Sequence, residues 1–559
     1  MQKIQKIVSF FSSMRGKKLT RERKINLLVT IIICISLLTF SFAIKNFFSE
    51  WYWREQSKVY AWEFNWPQYN TTVVTFENGT IVTTGTLNIT RTWFIEAYND
   101  AAHYYEPYLF TFRFQNWNPY SGGTYEKDPL HGYAYGPMFI YGLYLISLFV
   151  SLFNPGLGRA DIVAKSVKWT HIAFDAFCVV TFYLIIISLK AFRERKITKH
   201  TLGFLSSTFF LFVPINLLYV DCIHLNTPQM AFFTLLSFLF FIKEKYRVSA
   251  FFLAVAWLSK QMPLFLLIPW LFIIWKKKSL KESLLDFLVP FLVTTFLLSL
   301  PWLFISPYAY VWRVFGPGKP ITEIDLDLIT HTVTFSHSFE FLGKPGLANF
   351  YTTINNFMIP FLLAYVVVVL ISYFRGKKIG NDETVFTIFT SWVLINTHLF
   401  ISRGIYKYYN AFLTPFVFLS ILVFLESQIS SLIDKRKKKL NKLEEEKDEE
   451  GKERLNFSNR NLAILKNASL YVSFLLSCAF FYYWNFVLIA KDRNLHPLFL
   501  LILFVLVSLL LPPDLYNSLV EKKSYIMIKE DSIEFYHKTT QALKKIQAKF
   551  KRNSSEESE

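Results

Sequence analysis

The residues best suited to chemistry lie in an aromatic-rich stretch near the start of the chain. Asp100 stands close to His103 and Tyr104, with Glu96 and Glu106 on either side. A carboxylate held at a membrane interface among aromatic rings would become more basic through desolvation. That suits a general base that removes a proton from a sugar hydroxyl. The alternative is an ordinary loop aspartate in solvent, and the residues alone leave both interpretations open.

A second polar group stands between two apolar blocks. Asp221, His224 and Asn226 occur within six residues, which is more polarity than a turn needs. Binding of a polar ligand is one interpretation. The other is a helix cap, with Asn226 or Thr227 as the N-cap and Pro228 in the first helical position. The same residues can serve both roles.

Two further candidates carry positive charge. Lys260, followed by Gln261, separates two short apolar segments, and a lysine there is costly unless an anion pairs with it. Arg403 and Lys407 stand among tyrosines. Two cations at the outer face of a membrane can hold a phosphate. The alternative for Arg403 and Lys407 is snorkelling beside an aromatic belt.

Long apolar blocks must position these groups. The chain has 559 residues and is 53% hydrophobic. Blocks such as Leu27–Ile44, Phe287–Ile305 and Leu495–Leu511 are long enough to cross a hydrocarbon core of about 30 Å. The predicted fold class is therefore all-α, as a polytopic helical membrane protein. The four cysteines are dispersed, with no spacing typical of a metal site or of a disulfide framework.

Basic residues cluster between these blocks. The formal net charge of +19 is concentrated in stretches such as Lys17–Lys24, Arg193–Lys199, Lys276–Lys281 and Lys435–Lys442. This pattern is typical of cytoplasmic loops, so we prefer it to nucleic-acid binding as the explanation of the charge. It also places the N-terminus in the cytoplasm.

The apolar segment 134–153 conflicts with the charge pattern if it spans. The next span would then carry Arg193–Lys199 to the outside. We therefore expect 134–153 to lie at the outer interface or to re-enter the membrane. With that assignment about twelve spans alternate without conflict. They cover about 25–46, 168–189, 202–220, 228–243, 247–259, 262–275, 286–306, 352–374, 384–402, 409–426, 463–487 and 495–512.

The predicted organisation has a large first external loop, which carries sequons at Asn70, Asn78 and Asn88. In chain order, the predicted parts are a cytoplasmic tail (1–24), a membrane module (25–426) with its external loop (47–167), a charged cytoplasmic loop (427–462), a C-terminal transmembrane hairpin (463–512) and a cytoplasmic tail (513–559).

Taken in order, these groups resemble the polyprenyl- and dolichyl-phosphate-sugar-dependent glycosyltransferases of the GT-C superfamily, its mannosyltransferases in particular. The resemblance covers roughly residues 90–420. Gly136 stands where that family commonly has proline. The resemblance rests on the segments Asn99–Tyr105, Tyr135–Met138, Asp221–Asn226, Ser259–Met262 and Arg403–Tyr409.

This resemblance implies a GT-C-like fold of about 12 transmembrane helices and an inverting hexosyltransferase. The enzyme would move a hexose, with mannose favoured, from a lipid phosphate to a hydroxyl on the outer or lumenal face. Asp100 would be the catalytic base. Donor and acceptor contacts would come from His103, Tyr104, Tyr135, Asp221, His224, Asn226, Lys260, Gln261, Arg403 and Lys407.

The partners implied are a polyprenyl- or dolichyl-phosphate sugar, a lipid-linked or glycan acceptor and membrane lipids, with no nucleic acid, cofactor or metal. The membrane would be a prokaryotic cell membrane or the endoplasmic reticulum. A polytopic transporter or lipid flippase is the alternative from another class. Such proteins often show repeated halves and charges at the membrane midplane, and no internal repeat is visible in this sequence.

Overall fold

The computed structural model describes most of the segments that carry the polar groups introduced above. Asp100, His103, Tyr104, Arg403 and Lys407 lie outside the described residues. The described residues are 21–60, 70–77, 80–88, 105–114, 118–120, 133, 135–193, 198–315, 332–333, 343–356, 359, 362–363, 382–400, 405–406, 409–444, 464, 468–483 and 485.

Helices make up nearly all of the described structure, which confirms the all-α fold class. A π-helix covers Asn216–Cys222, and a 3-10 helix covers Met262–Leu266. The α-helices are α1 Arg21–Tyr60, α2 Glu106–Phe114, α3 Pro137–Phe153, α4 Arg159–Ser188, α5 Lys190–Arg193, α6 Thr198–Leu211, α7 Pro228–Ile242, α8 Tyr246–Ser259, α9 Leu267–Lys277, α10 Leu280–Ser283, α11 Val289–Ile305, α12 Pro307–Phe315, α13 Pro345–Asn356, α14 Asp382–Phe400, α15 Asn410–Glu444 and α16 Ala468–Tyr483. A short π-helical turn, Leu284–Leu288, joins α10 to α11.

Strands occur only as two small antiparallel pairs within the described residues. β1 (Asn70–Glu77) pairs with β2 (Thr80–Asn88), with a register irregularity between Thr72 and Val74. β3 (Thr332–Val333) pairs with β4 (Ile405–Tyr406). All four strands fall in segments that the sequence assigns to the external face or its border.

Four helical stretches are long and apolar enough to cross a membrane, so the chain is a multi-pass membrane protein. They are Lys24–Tyr52, Arg159–Ser188, Leu280–Ile305 and Asn410–Ile433. The bent pair formed by α6 and the π-helix gives a fifth if it counts as one span. Several of the twelve predicted spans, such as 495–512, lie outside the described residues.

The first helix is longer than the sequence indicated. We expected a span over 25–46 and an external loop from residue 47, but α1 continues to Tyr60. Lys45, which directly follows the apolar block Leu27–Ile44, lies within this helix. In the structure carboxylates from two other elements neutralise Lys45, so the helix has no need to end there.

Two helices break where the sequence lacks a backbone donor or carries a charge. The predicted span 202–220 is interrupted between α6 and the π-helix, with a bend of 64°. Pro214 lies in that gap and cannot donate the backbone hydrogen bond that would continue α6. The predicted break at Lys260 is confirmed, because α8 ends at Ser259 and Lys260 has an extended backbone.

Helix α3 occupies the segment that we expect to lie at the outer interface. It begins at Pro137 with Gly136 as its N-cap residue, as the Gly-Pro pair predicts. One side, including Phe139 and Leu143, is buried, whereas Leu152 and Phe153 on its last turn are exposed. Its position relative to a membrane stays a prediction.

Helix α4 is the centre of the bundle and packs against α1, α3, α6 and α7. A second packing centre surrounds the buried Trp270, whose ring meets Phe241 and Phe386 at centroid distances of 4.9 and 5.4 Å. The Trp270 indole also donates to Thr390 Oγ1 at 3.2 Å. These contacts hold α9 and α14 against α7, which itself packs against α4.

Candidate functional site

Three charged side chains meet inside the helix bundle. Lys45 on α1 donates from Nζ to Asp175 Oδ2 on α4, and to Asp221 Oδ2 in the π-helix at 2.7 Å. Each of the three is at most 2% exposed. Asn216 Nδ2 supports the arrangement by donating to Asp175 Oδ1 at 3.2 Å. We call Lys45, Asp175 and Asp221 the charged cluster.

A stripe of buried residues on α1 positions Lys45. Leu37, Ser41, Lys45 and Ser49 recur every four residues on α1, so they share one face of the helix, and each is at most 1% exposed. The serines let α1 approach its neighbours closely. Helix α1 therefore contacts the bundle through this stripe while Ile31, on another face, remains exposed.

The charges in the cluster are not evenly matched. One ammonium group faces two carboxylates, and Asp221 Oδ1 is buried with no hydrogen-bond partner among the described residues. Asp221 belongs to the π-helix Asn216–Cys222, and π-helical turns often mark functional sites. An ionisable group inside a membrane span is by default a functional-site hypothesis, so the cluster is the first part of the candidate site.

The chain then turns sharply at His224, the second part of the site. His224 has φ 61, in the left-handed region that few non-glycine residues adopt. Its Nε2 lies 3.1 Å from Ser49 Oγ, one helical turn beyond Lys45. Its ring centroid is 6.2 Å from that of His171. A backbone held in a sparsely populated region often accompanies function.

His171 on α4 lies next to His224 and stacks on an aromatic ring. Nδ1 lies 2.7 Å from the Val167 carbonyl oxygen, so Nδ1 donates and Nε2 is left as an acceptor. Nε2 is buried without a partner among the described residues. The Tyr105 ring stacks on the imidazole at 5.8 Å. This contact brings the start of α2 to the site.

Lys260 completes the site from the other side. Its Nζ donates to Asn226 Oδ1 at 2.5 Å and lies 3.8 Å from the ring centroid of Tyr409, a cation–π contact. The Tyr135 ring is 5.7 Å from the same nitrogen. Lys260 is only 3% exposed, so its charge is held by these neighbours and not by water.

The structure therefore gathers five of the residues that the sequence singled out. These contacts define the polar core, by which we mean the charged cluster together with Ser49, His171, His224, Asn226 and Lys260. Gln261 precedes the 3-10 helix as its N-cap residue and is half-buried. Thr227 is the N-cap residue of α7 and Pro228 its first residue, but the Thr227 side chain makes no capping bond. The five gathered residues are Tyr135, Asp221, His224, Asn226 and Lys260.

Sequence reasoning missed four members of the polar core, which are Lys45, Ser49, His171 and Asp175. Lys45 ends an apolar block, and Asp175 and His171 stand within the apolar segment 168–189. Ionisable residues inside predicted spans were the signal, because such residues almost always face a partner inside the bundle.

A comparison with protein families matches residues 90–314 to the model of the GPI transamidase subunit PIG-U. The matched segment contains Asp175, Asp221 and Lys260 but not Lys45. A comparison with curated proteins finds no match.

This match corrects the assignment drawn from the resemblance. The match is to a transamidase subunit, so the GT-C glycosyltransferase family, the hexosyltransferase activity and the polyprenyl- or dolichyl-phosphate-sugar donor with its glycan acceptor were wrong. The transporter or flippase alternative is set aside on the same ground. The similar motifs misled because polar residues at the ends of membrane helices can serve many functions on one fold. Here Asp221 bonds to Lys45, and Lys260 bonds to Asn226.

Proposed function

We propose that this chain is a PIG-U-type subunit of a GPI transamidase complex in the membrane of the endoplasmic reticulum. Such a complex attaches glycosylphosphatidylinositol (GPI) anchors to proteins. The observation that carries the proposal is the family match over residues 90–314. The partners would be the other transamidase subunits, the GPI anchor and the proprotein.

The chemistry of the two substrates supports a multi-pass subunit. A proprotein that receives a GPI anchor carries a C-terminal hydrophobic tail of about 10–20 residues, and the anchor itself is a lipid. Both therefore present apolar parts within the bilayer. Helices with exposed apolar faces, such as α11 with Phe296, Leu297 and Phe304, offer surfaces that can pack against them.

The polar core would hold these surfaces in register. Its bonds join α1, α4, the π-helix and Lys260 at the end of α8, so the core fixes helices that are far apart in sequence. We propose that the sequence-predicted residues contribute to this support and to substrate contacts on the lumenal side, with Asp100, His103, Tyr104, Arg403 and Lys407 as predicted neighbours. The supporting residues are Tyr135, Asp221, His224, Asn226, Lys260 and Gln261.

The finer topology is part of the same proposal. We propose about twelve transmembrane helices in a GT-C-like arrangement, as a statement about the fold only. The tails 1–24 and 513–559 lie in the cytoplasm in this proposal. The lumenal segment 47–167 begins with the last turns of α1, which ends at Tyr60. Basic clusters between the spans support this orientation.

Affinity purification tests the association directly. The full chain, tagged at its C-terminus and extracted from reticulum membranes in mild detergent, should bring the other transamidase subunits with it in near-equal amounts. A tagged multi-pass protein of the same membrane, expressed at the same level, serves as the control. The control must show that extraction preserves other complexes. If it does, recovery of the chain without transamidase subunits would contradict the proposal.

A further inference from the structure

A groove of about 860 Å³ lies between the first turns of α1 and the start of α6. Its volume falls in the range of small-molecule sites. Arg21 lines one end of the groove. Lys45 is 24 residues further along α1, which is about 36 Å in a helix. The groove is therefore separate from the polar core.

The mouth of the groove stands in a basic part of the chain. Arg21 and Glu22 lie at the mouth, and Glu22 has interactions of its own. The flanking segments 17–24 and 193–199 each contain several lysines and arginines and a single glutamate. Because both are predicted to be cytoplasmic, the mouth faces the leaflet that carries anionic lipids.

His200 supplies a polar group inside the groove. Its side chain is 9% exposed, and Nδ1 lies 2.8 Å from the Tyr183 hydroxyl. Its other nitrogen, Nε2, is buried and has no partner among the described residues. When Nδ1 accepts the Tyr183 hydroxyl proton, Nε2 carries the ring hydrogen and can donate to a phosphate or ester oxygen.

The remaining wall is apolar and runs along the helix axis. Ile25, Val29 and Ile33 line the groove from α1. Their four-residue spacing places them on one face over about 12 Å. Phe204, one turn beyond His200, faces them from α6. A polar end joined to an apolar wall matches a molecule with an anionic head and a hydrocarbon tail.

We propose that this groove binds an anionic glycerophospholipid of the cytoplasmic leaflet. The phosphate lies between Arg21 and His200, and one acyl chain follows Ile25, Val29 and Ile33. Basic pockets between transmembrane helices on this side of a membrane are suited to such headgroups. The inference rests on the membrane orientation proposed above but not on the proposed transamidase role.

Photolabelling in nanodiscs tests the site. The purified full chain is placed in phosphatidylcholine nanodiscs that contain photoactivatable phosphatidylserine or photoactivatable phosphatidylcholine in equal amounts. We expect phosphatidylserine to label α1 and α6 preferentially. Arg21→Gln should lower that labelling about tenfold, because it removes a charge-assisted phosphate contact. Lys24→Gln, at an exposed lysine outside the groove, should leave it unchanged.

Three further arms separate the parts of the site. Val29→Trp fills the groove and should lower labelling by both lipids. His200→Phe removes Nε2 and the bond to Tyr183. Tyr183→Phe removes the bonds of the Tyr183 hydroxyl to His200 and Thr30 but leaves Nε2 in place, so His200→Phe alone should lower labelling by phosphatidylserine. Inorganic phosphate should not lower labelling by phosphatidylserine, because it lacks the acyl chain that follows the apolar wall.

Four results would overturn the proposal. The first is equal labelling of the wild type by phosphatidylserine and phosphatidylcholine. The second and third are equal losses of phosphatidylserine labelling in Arg21→Gln and Lys24→Gln, or in His200→Phe and Tyr183→Phe. The fourth is complete loss of labelling when inorganic phosphate is added.

Discussion

Replacing Lys45 with methionine should lower the free energy of unfolding by about 3–5 kcal/mol, the usual cost of removing one partner from a buried ion pair. Methionine nearly preserves the length of the side chain, so packing changes little. Asp175 and Asp221 would remain buried at no more than 2% exposure without their shared cation. Titration of the purified protein with sodium dodecyl sulfate in mixed micelles, followed by loss of helical circular dichroism, measures the change.

The matched control for Lys45 is a second lysine that joins the same two helices. Lys168 on α4 pairs with Glu50 on α1, but those side chains are 17% and 66% exposed. Lys168→Met should cost no more than about 1 kcal/mol, because exposed pairs contribute little. Adding Asp175→Asn and Asp221→Asn to Lys45→Met should recover much of the loss. Equal effects of Lys45→Met and Lys168→Met would mean that the charged cluster does not hold α1.

Replacing Gly136 with alanine should be the second most damaging change. A Cβ at this position would lie 2.1 Å from the Leu258 carbonyl oxygen and 2.6 Å from the Leu258 Cα. Both atoms belong to the backbone of α8, so no side chain can move aside. We expect a loss of about 1–3 kcal/mol or more, typical of overpacking that forces backbone shifts.

The matched control for Gly136 lies just beyond α3. Gly156 has no heavy atom within 4 Å of a Cβ built on it, so Gly156→Ala should leave the thermal unfolding midpoint of the detergent-purified protein nearly unchanged. A Gly136→Ala variant that unfolds at the same temperature as Gly156→Ala would show that α3 and α8 do not approach as closely as the structure has them.

Gly136 also illustrates what the sequence could predict and what it could not. The Gly-Pro pair predicts where α3 begins, since proline suits the first helical position. In the sequence alone, Gly136 is only a departure from the proline that is common at this position in the GT-C family. Its physical reason is the approach of Leu258, 122 residues later in the chain, which no local pattern contains.

The same contrast holds for the polar core. The break at Lys260 could be predicted because a lysine and a glutamine interrupt an apolar run. The neutralisation of Lys45 could not, because Asp175 and Asp221 are distant in sequence. Function was the property that the sequence predicted least well. Polar residues at helix ends are compatible both with sugar transfer and with a transamidase subunit.

The central claim is that this chain is a PIG-U-type subunit of a GPI transamidase. The lipids that accumulate after depletion of this chain test that claim most directly. Cells are labelled with radioactive inositol, and their GPI lipids are separated while a GPI-anchored reporter is followed by immunoblot. A transamidase subunit predicts that complete GPI lipids accumulate together with reporter that keeps its C-terminal hydrophobic tail. Accumulation of shorter lipids that lack a sugar would contradict the account, because it would indicate that the chain takes part in sugar transfer.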